Sequence, residues 1–204
     1  MDAVLYVHGK GGDPRESEHY APLFPGAEVL GLNYRTFTPW EAGREIREAA
    51  EGLAAGRRPI ILIANSIGAY FSLHAGIDRL IHRAFFISPI LDMEGLITGM
   101  MAQAGVTETE LEAKGHIPTA FGEELSWPYL RWVREHPIRW EARTEILFGS
   151  QDALTSRETA EAFARRYRAG LTIMEGGEHW FHTEAQLAFL DAWLREKERK
   201  EKTC

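Results

Sequence analysis

The chain has 204 residues, of which 45% are hydrophobic, and a formal net charge of −7. That length suits one globular domain burying roughly 70% of its unfolded surface. The negative balance argues against a nucleic-acid partner, whose phosphates it would repel. No apolar run approaches the ~18 residues of a membrane span, and the apolar start, Ala3 to Val7, is short and lacks the basic residues of a signal peptide. The one cysteine is the final residue, Cys204, so no internal disulfide is expected. These features predict a soluble cytoplasmic protein without a membrane partner.

Ala3 to Val7 reads as a buried strand running into His8-Gly9-Lys10-Gly11-Gly12. This turn lacks both G-x-G-x-x-G and the P-loop pattern, so a phosphate cradle is the weaker reading. The stronger one is a loop whose backbone N–H groups face a reaction centre, with that of Lys10 as an oxyanion donor and His8 shaping the loop. Asp13 to Phe24 is a polar loop or short helix, with His19 and Tyr20 placed to line a cleft mouth. Glu28 to Tyr34 is the second strand. Thr38 and Pro39 open a helix that runs through Ile46 and Leu53 and stops at Gly56.

Pro59 to Ala64 is too continuously aliphatic to alternate faces and reads as a strand buried on both sides. It breaks at Ala64-Asn65-Ser66-Ile67-Gly68, after which apolar residues take helical spacing to Ala75. Strand, sharp turn carrying serine, helix is the sequence of a nucleophile elbow. Small residues at 64 and 68 let the two arms of the turn approach, while Asn65 and Ile67 are expected to point away. The Ile67 N–H, at a helix N-terminus, would stabilise developing negative charge. On this stretch alone, a plain helix N-cap is the alternative reading of Ser66.

Arg83 to Ser88 is the fourth strand. From about 92 to 143 the pattern is irregular, with Met100, Met101, Phe121, Trp127, Tyr129 and Trp132 among proline breaks. A segment this long between strands reads as an inserted cap, its aromatics mostly forming a small core and some facing the serine. Glu145 to Phe148 is the fifth strand, ending in Gly149-Ser150-Gln151-Asp152. A helix from about Ser156 to Tyr167 follows, then a sixth strand, Leu171 to Met174, and the loop Gly176-Gly177-Glu178-His179. The last helix, Glu184 to Glu198, buries Leu187, Leu190 and Leu194, and its charged end reads as solvated. Alternating strands and helices predict an α/β fold, a parallel sheet covered on both faces, with no second sheet.

Ser66, Asp152 and His179 all fall in turns after strands, where open α/β sheets place their ligands. Their chain order, nucleophile, acid, histidine, is that of α/β-hydrolases. Over essentially its whole length the chain resembles a compact member of the α/β-hydrolase superfamily. Val7-His8-Gly9 matches the oxyanion loop, residues 64–68 the elbow, Gly149–Asp152 the acid turn and Gly177–His179 the histidine loop. The resemblance implies a three-layer αβα, doubly wound sheet of about six strands in the order 2-1-3-4-5-6, lacking the family's first two strands. Residues 1–204 would form one domain with a helical cap inserted at about 92–143.

The implied activity is hydrolysis of carboxylic esters, with thioesters or amides as further substrates, through an acyl-enzyme. Ser66 would attack, His179 take its proton and Asp152 orient the imidazole, while the Lys10 and Ile67 amides hold the oxyanion. Neither metal nor cofactor is called for, and the partner is a small ester-type molecule. His182 is the rival base and Asp92 the rival acid. Ser88 and Ser150 also end strands but form no elbow, and Glu178 is expected to face solvent or tie down its loop. His74, His82, His116 and His136 have no partner pattern. A ligand-binding or scaffold protein on the same fold is the alternative from another class, and an acyltransferase or lyase would use the same site.

Overall fold

The computed structural model describes residues 2–201, so Cys204 lies outside the described residues. Six parallel strands make the principal sheet: β1 (Ala3–Val7), β2 (Glu28–Gly31), β3 (Ile60–Asn65), β4 (Ile81–Ile87), β7 (Thr144–Gly149) and β8 (Gly170–Met174). Their order is β2-β1-β3-β4-β7-β8, which in the count of principal strands alone is the expected 2-1-3-4-5-6. The helices α1 (Pro39–Ala54), α2 (Ile67–His74), α6 (Arg157–Tyr167) and α7 (Glu184–Glu201) supply the crossovers and cover. None of the described helices is long and apolar enough to cross a membrane.

The four inner strands, β1, β3, β4 and β7, are largely buried on both faces, as their aliphatic runs require, while the edge strands β2 and β8 are partly exposed. Register assigns the faces. Val4 pairs with Ile61 and Tyr6 with Ile63, while Ile63 pairs with Phe85 and Asn65 with Ile87. This set packs with Tyr20, Leu23 and Phe24 from two short 3₁₀ turns, Pro14–His19 and Ala21–Leu23, and with Leu190, Trp193 and Leu194 of α7. Leu187, expected in that face, is half-buried, and Trp193 takes a share of the contact.

Two expectations need correction here. The charged end of α7 is not simply solvated: Glu198 forms an ion pair with the buried Arg83, and Lys197 Nζ lies 2.5 Å from Glu145 Oε2. Arg83 sits inside β4, so its buried guanidinium needs a partner, and the end of the last helix supplies one. Thr38 also makes no capping bond to the backbone, because its hydroxyl donates to Glu41 Oε2 at 2.6 Å.

The described chain divides into two compact units, one of the residues up to Leu91 and from Trp140 onward, the other Asp92–Arg139. The second contains α3 (Met93–Ala104), α4 (Glu108–Lys114), β5 (His116–Pro118), β6 (Glu124–Ser126) and α5 (Trp127–Glu135). The antiparallel pair β5–β6 is a second sheet that the sequence reading excluded. Each strand is only three residues long, too short for an alternating pattern to register. Aliphatic side chains, Leu111, Leu125 and Leu130, are buried in this unit, whereas Trp127, Tyr129 and Trp132 are half-buried and Phe121 is exposed. Arg134 clasps Glu94 at 2.6 Å and Glu108 at 2.6 Å across its helices.

Candidate active site

The four loops singled out in the sequence all leave the carboxyl ends of principal strands: residues 8–12 after β1, Ser66 after β3, Asp152 after β7 and His179 after β8. Ser66 has φ +51° and ψ −121°, a region that a residue with a Cβ adopts at a cost. The surrounding backbone imposes it. Its N–H donates to the Ile87 carbonyl at 3.0 Å, and its carbonyl accepts from the Ile90 N–H at 3.1 Å. It heads α2 without a capping bond from its side chain. Instead its Oγ lies 2.7 Å from His179 Nε2.

The elbow's glycine serves a different contact from the one expected. A Cβ on Gly68 would lie 2.4 Å from the His8 carbonyl oxygen and 2.7 Å from that of Val7. The glycine therefore lets α2 seat against the end of β1, which sets the glycine loop beside the serine. Gly9 completes the approach, since a Cβ there would come within 3.2 Å of Ser66 Cβ. His8 is buried, donates from Nδ1 to its neighbour's carbonyl at 2.8 Å and stacks on Tyr34 at 4.4 Å. It shapes the loop, as anticipated.

On the other side of Ser66, the loops after β7 and β8 lock together. Gly149 has no Cβ because one would stand 2.5 Å from the Gly177 carbonyl oxygen. The Gln151 N–H donates to that same carbonyl at 2.8 Å, and Ser150 Oγ accepts from Gly176 N at 2.9 Å. So braced, Asp152 is held from three sides. Its Oδ1 accepts from the N–H groups of Leu154 (2.8 Å) and Thr155 (3.1 Å), and its Oδ2 lies 2.7 Å from His179 Nδ1. The Asp152 side chain is fully buried and that of His179 is 19% exposed. A carboxylate only accepts, so the proton between them is on Nδ1, leaving Nε2 to accept from the Ser66 hydroxyl.

The rivals are occupied elsewhere. His182 Nδ1 bonds the Trp180 carbonyl at 2.7 Å, and its ring stacks on Trp180. Asp92 caps α3, accepting from Gly95 N at 2.8 Å. Glu178 ties down its own loop by accepting from Gln186 Nε2 at 3.3 Å. His116 pairs with Glu124 at 3.0 Å, His136 stacks on Trp132, His74 lies against Tyr70, and His82 is exposed.

A cavity of about 590 Å³ opens over Ser66 and His179, with Lys10, His19 and Tyr20 among its lining residues. Ile67 follows Ser66 as the first residue of α2. Asn65, expected to point away, lines this cavity and donates from Nδ2 to the Tyr6 hydroxyl at 2.9 Å. The reason is parity: Asn65 ends β3 on the face of Ile61 and Ile63, and strand side chains alternate. Tyr6 in turn donates a very short hydrogen bond to Glu16 Oε2. Burial, then the neighbouring Tyr20 and Glu16, push the Tyr6 phenol far above its usual range. Sequence reasoning also missed Thr155, whose buried hydroxyl donates to the Pro89 carbonyl at 3.0 Å. It joins the acid loop to the segment that carries Ile90, the donor to Ser66.

A family model described as the alpha/beta hydrolase family matches residues 4–192. The chain belongs to the α/β-hydrolase family. No curated protein sequence matches it. Among solved structures, this family member is similar to Est1E from Butyrivibrio proteoclasticus, with 16% identity and a TM-score of 0.75 over 100% of this chain and 89% of that one. Alpha/beta hydrolase domain-containing protein 10 from mouse gives 17% identity and a TM-score of 0.71, covering 97% and 90%. An alpha-beta serine hydrolase homologue from Coxiella burnetii gives 14% and 0.62, covering 97% and 84%. At these identities the likeness is one of fold.

Proposed function

We propose that this chain is a serine hydrolase of carboxylic esters, with thioesters and amides within reach of the same chemistry. The observation that carries the reading is the relay from Ser66 Oγ through His179 to Asp152, with both links at 2.7 Å. A serine hydroxyl is a weak nucleophile, and a base within hydrogen-bond reach is what activates it. His179 Nε2 takes the Ser66 proton as Oγ attacks the carbonyl carbon, and Asp152 stabilises the resulting imidazolium. The Lys10 and Ile67 amides receive the oxyanion, each donor contributing about 3 kcal/mol to the transition state. His179 then returns the proton to the departing alcohol. Water, activated by the same imidazole, releases the acid and restores Ser66.

In this reading the insertion at about 92–143 serves as a cap. The family assignment supports hydrolysis. The neighbour Est1E has also been solved with ferulic acid bound, a carboxylic acid of the kind that ester hydrolysis would release.

A fluorophosphonate probe followed by peptide mass spectrometry tests the assignment. Ser66 is expected to carry the label, and Ser66→Ala to lose both labelling and turnover of p-nitrophenyl acetate. Turnover surviving in that variant would move the chemistry to another residue. A folded wild-type protein that neither labels nor turns over esters would favour a binding protein.

A further inference from the structure

The cavity over Ser66 has one wall that proton transfer does not use. Tyr6, Glu16, Tyr20 and Asn65 line it. Hydrogen-bond bookkeeping on this wall fixes the polarity. Tyr6 gives its only proton to Glu16 Oε2, so its oxygen can only accept, and the Asn65 group facing it must be the NH₂. Asn65 Oδ1 is then left buried without a donor. Glu16 Oε1 accepts from the Asp13 N–H at 3.1 Å and would stand 3.0 Å from a Cβ on Gly12, so the carboxylate lies against the glycine loop. Tyr20, hydrogen-bonded to Asn65, adds a hydroxyl, and Glu16 gives the wall a negative charge.

No cation of the described chain forms an ion pair with Glu16. The other ionisable side chains of the cavity are engaged: His19 donates from Nε2 to Asp191 at 2.8 Å, His182 bonds the Trp180 carbonyl, and Lys10 is not free. Glu16 is itself solvent-exposed, so its carboxylate is open to a ligand despite its two bonds. Trp180, 73% exposed, adds an aromatic ring to the lining beside His179. Carboxylate and aromatic faces together suit a positively charged amine: the first provides charge-assisted hydrogen bonds, the second cation–π attraction. Glu16 as a capping residue alone would need only Oε1 and no charge.

We propose that Glu16 makes this cavity selective for esters that carry an ammonium group, over neutral or anionic esters of the same length. The proposal rests on the serine-hydrolase reading and names its substrate class.

The test uses three p-nitrophenyl esters: 6-aminohexanoate, hexanoate and the half-ester of adipic acid, compared by kcat/KM on wild type and on Glu16→Gln. Hydrogen bonds to charged groups predict a preference of about tenfold to a hundredfold for the ammonium ester over hexanoate, and discrimination against adipate. Glu16→Gln should bring the ammonium-to-neutral ratio to about threefold or less. Because all three esters are read on one preparation, a loosened loop lowers every rate and leaves the ratio intact. Equal rates in wild type, or a ratio unchanged in Glu16→Gln, overturns the proposal while Ser66 still labels. If no ester turns over and Ser66 stays unlabelled, the hydrolase reading falls. Calorimetry with hexylammonium, hexanol and hexanoate then decides the charge preference: tightest binding of the ammonium supports it, and indifference overturns it.

Discussion

Replacing Asp152 by asparagine changes one atom and, through two backbone groups, reverses a histidine. The Leu154 and Thr155 N–H groups both point at Oδ1, at 2.8 and 3.1 Å. An amide NH₂ cannot occupy that position, since donors would face donors, so the carbonyl oxygen of the introduced side chain must take it. Its NH₂ then faces His179 Nδ1, which has to become an acceptor. The imidazole proton moves to Nε2, 2.7 Å from Ser66 Oγ, and the group that should receive the serine proton now offers one. The imidazolium also loses its buried counter-charge. Together these should lower kcat by about 10⁴-fold, as in other triads whose acid is amidated, or about 5.5 kcal/mol of barrier.

The assay is p-nitrophenyl acetate turnover on Asp152→Asn, alongside thermal unfolding and ¹⁵N NMR of the His179 ring. Asparagine keeps the shape and all three hydrogen bonds, so the unfolding midpoint should shift little. The ring should report protonation at Nδ1 in wild type and at Nε2 in the variant. A folded variant whose kcat is within tenfold of wild type, or whose ring is still protonated at Nδ1, would refute the reasoning.

Other consequences follow from neighbouring geometry. Gly68→Ala places a Cβ against two main-chain oxygens, at 2.4 and 2.7 Å, that no rotamer change can move. The chain must shift, which should cost about 1–3 kcal/mol, read as a lower denaturation midpoint with reduced kcat. Thr155→Val removes the hydroxyl bond to Pro89 at constant shape and should cost about 1 kcal/mol. It should lower kcat with KM unchanged, and Thr155→Ser should restore activity; a change confined to KM would refute this role. Burial, the leading cause in each case, raises the phenols of Tyr6, Tyr20 and Tyr34 above 10.0. Each folded phenol keeps its proton while the unfolded one loses it, so their stabilisation is complete below pH 10 and declines above it. With all three lagging, the fall is about 4 kcal/mol per pH unit. Alkaline unfolding should therefore coincide with the 295 nm absorbance of these three tyrosinates, out of six tyrosines in the chain, and ionisation of these three well before unfolding would contradict the burial argument.

Much of the centre was legible along the chain because each part is a local signal. A strand and a turn with small residues that carries a candidate side chain recur at Ser66, Asp152 and His179, and each is complete within about ten residues. Asn65 was misjudged although the signal was present: counting alternate residues back through Ile63 and Ile61 puts it on the face of Tyr6. Gly68 was recognised as small, but its neighbour, the end of β1, lies about sixty positions earlier and leaves no local mark. The end of α7 looked solvated for the same reason, since Arg83 is more remote still, 115 positions from Glu198.

By itself the amino-acid sequence determined the alternation of buried strands and helices, and with it a parallel sheet having a serine, an aspartate and a histidine in the turns at the ends of its strands. Periodicity and turn chemistry act over a few residues, so they can be read without coordinates. Only the tertiary structure decided that Ser66 meets His179 at 2.7 Å, that the Leu154 and Thr155 amides hold Asp152, and that Tyr6, Glu16 and Asn65 form one hydrogen-bonded wall. Those contacts join segments that only sheet register and crossover packing bring together, and distances of that kind have no period along the chain.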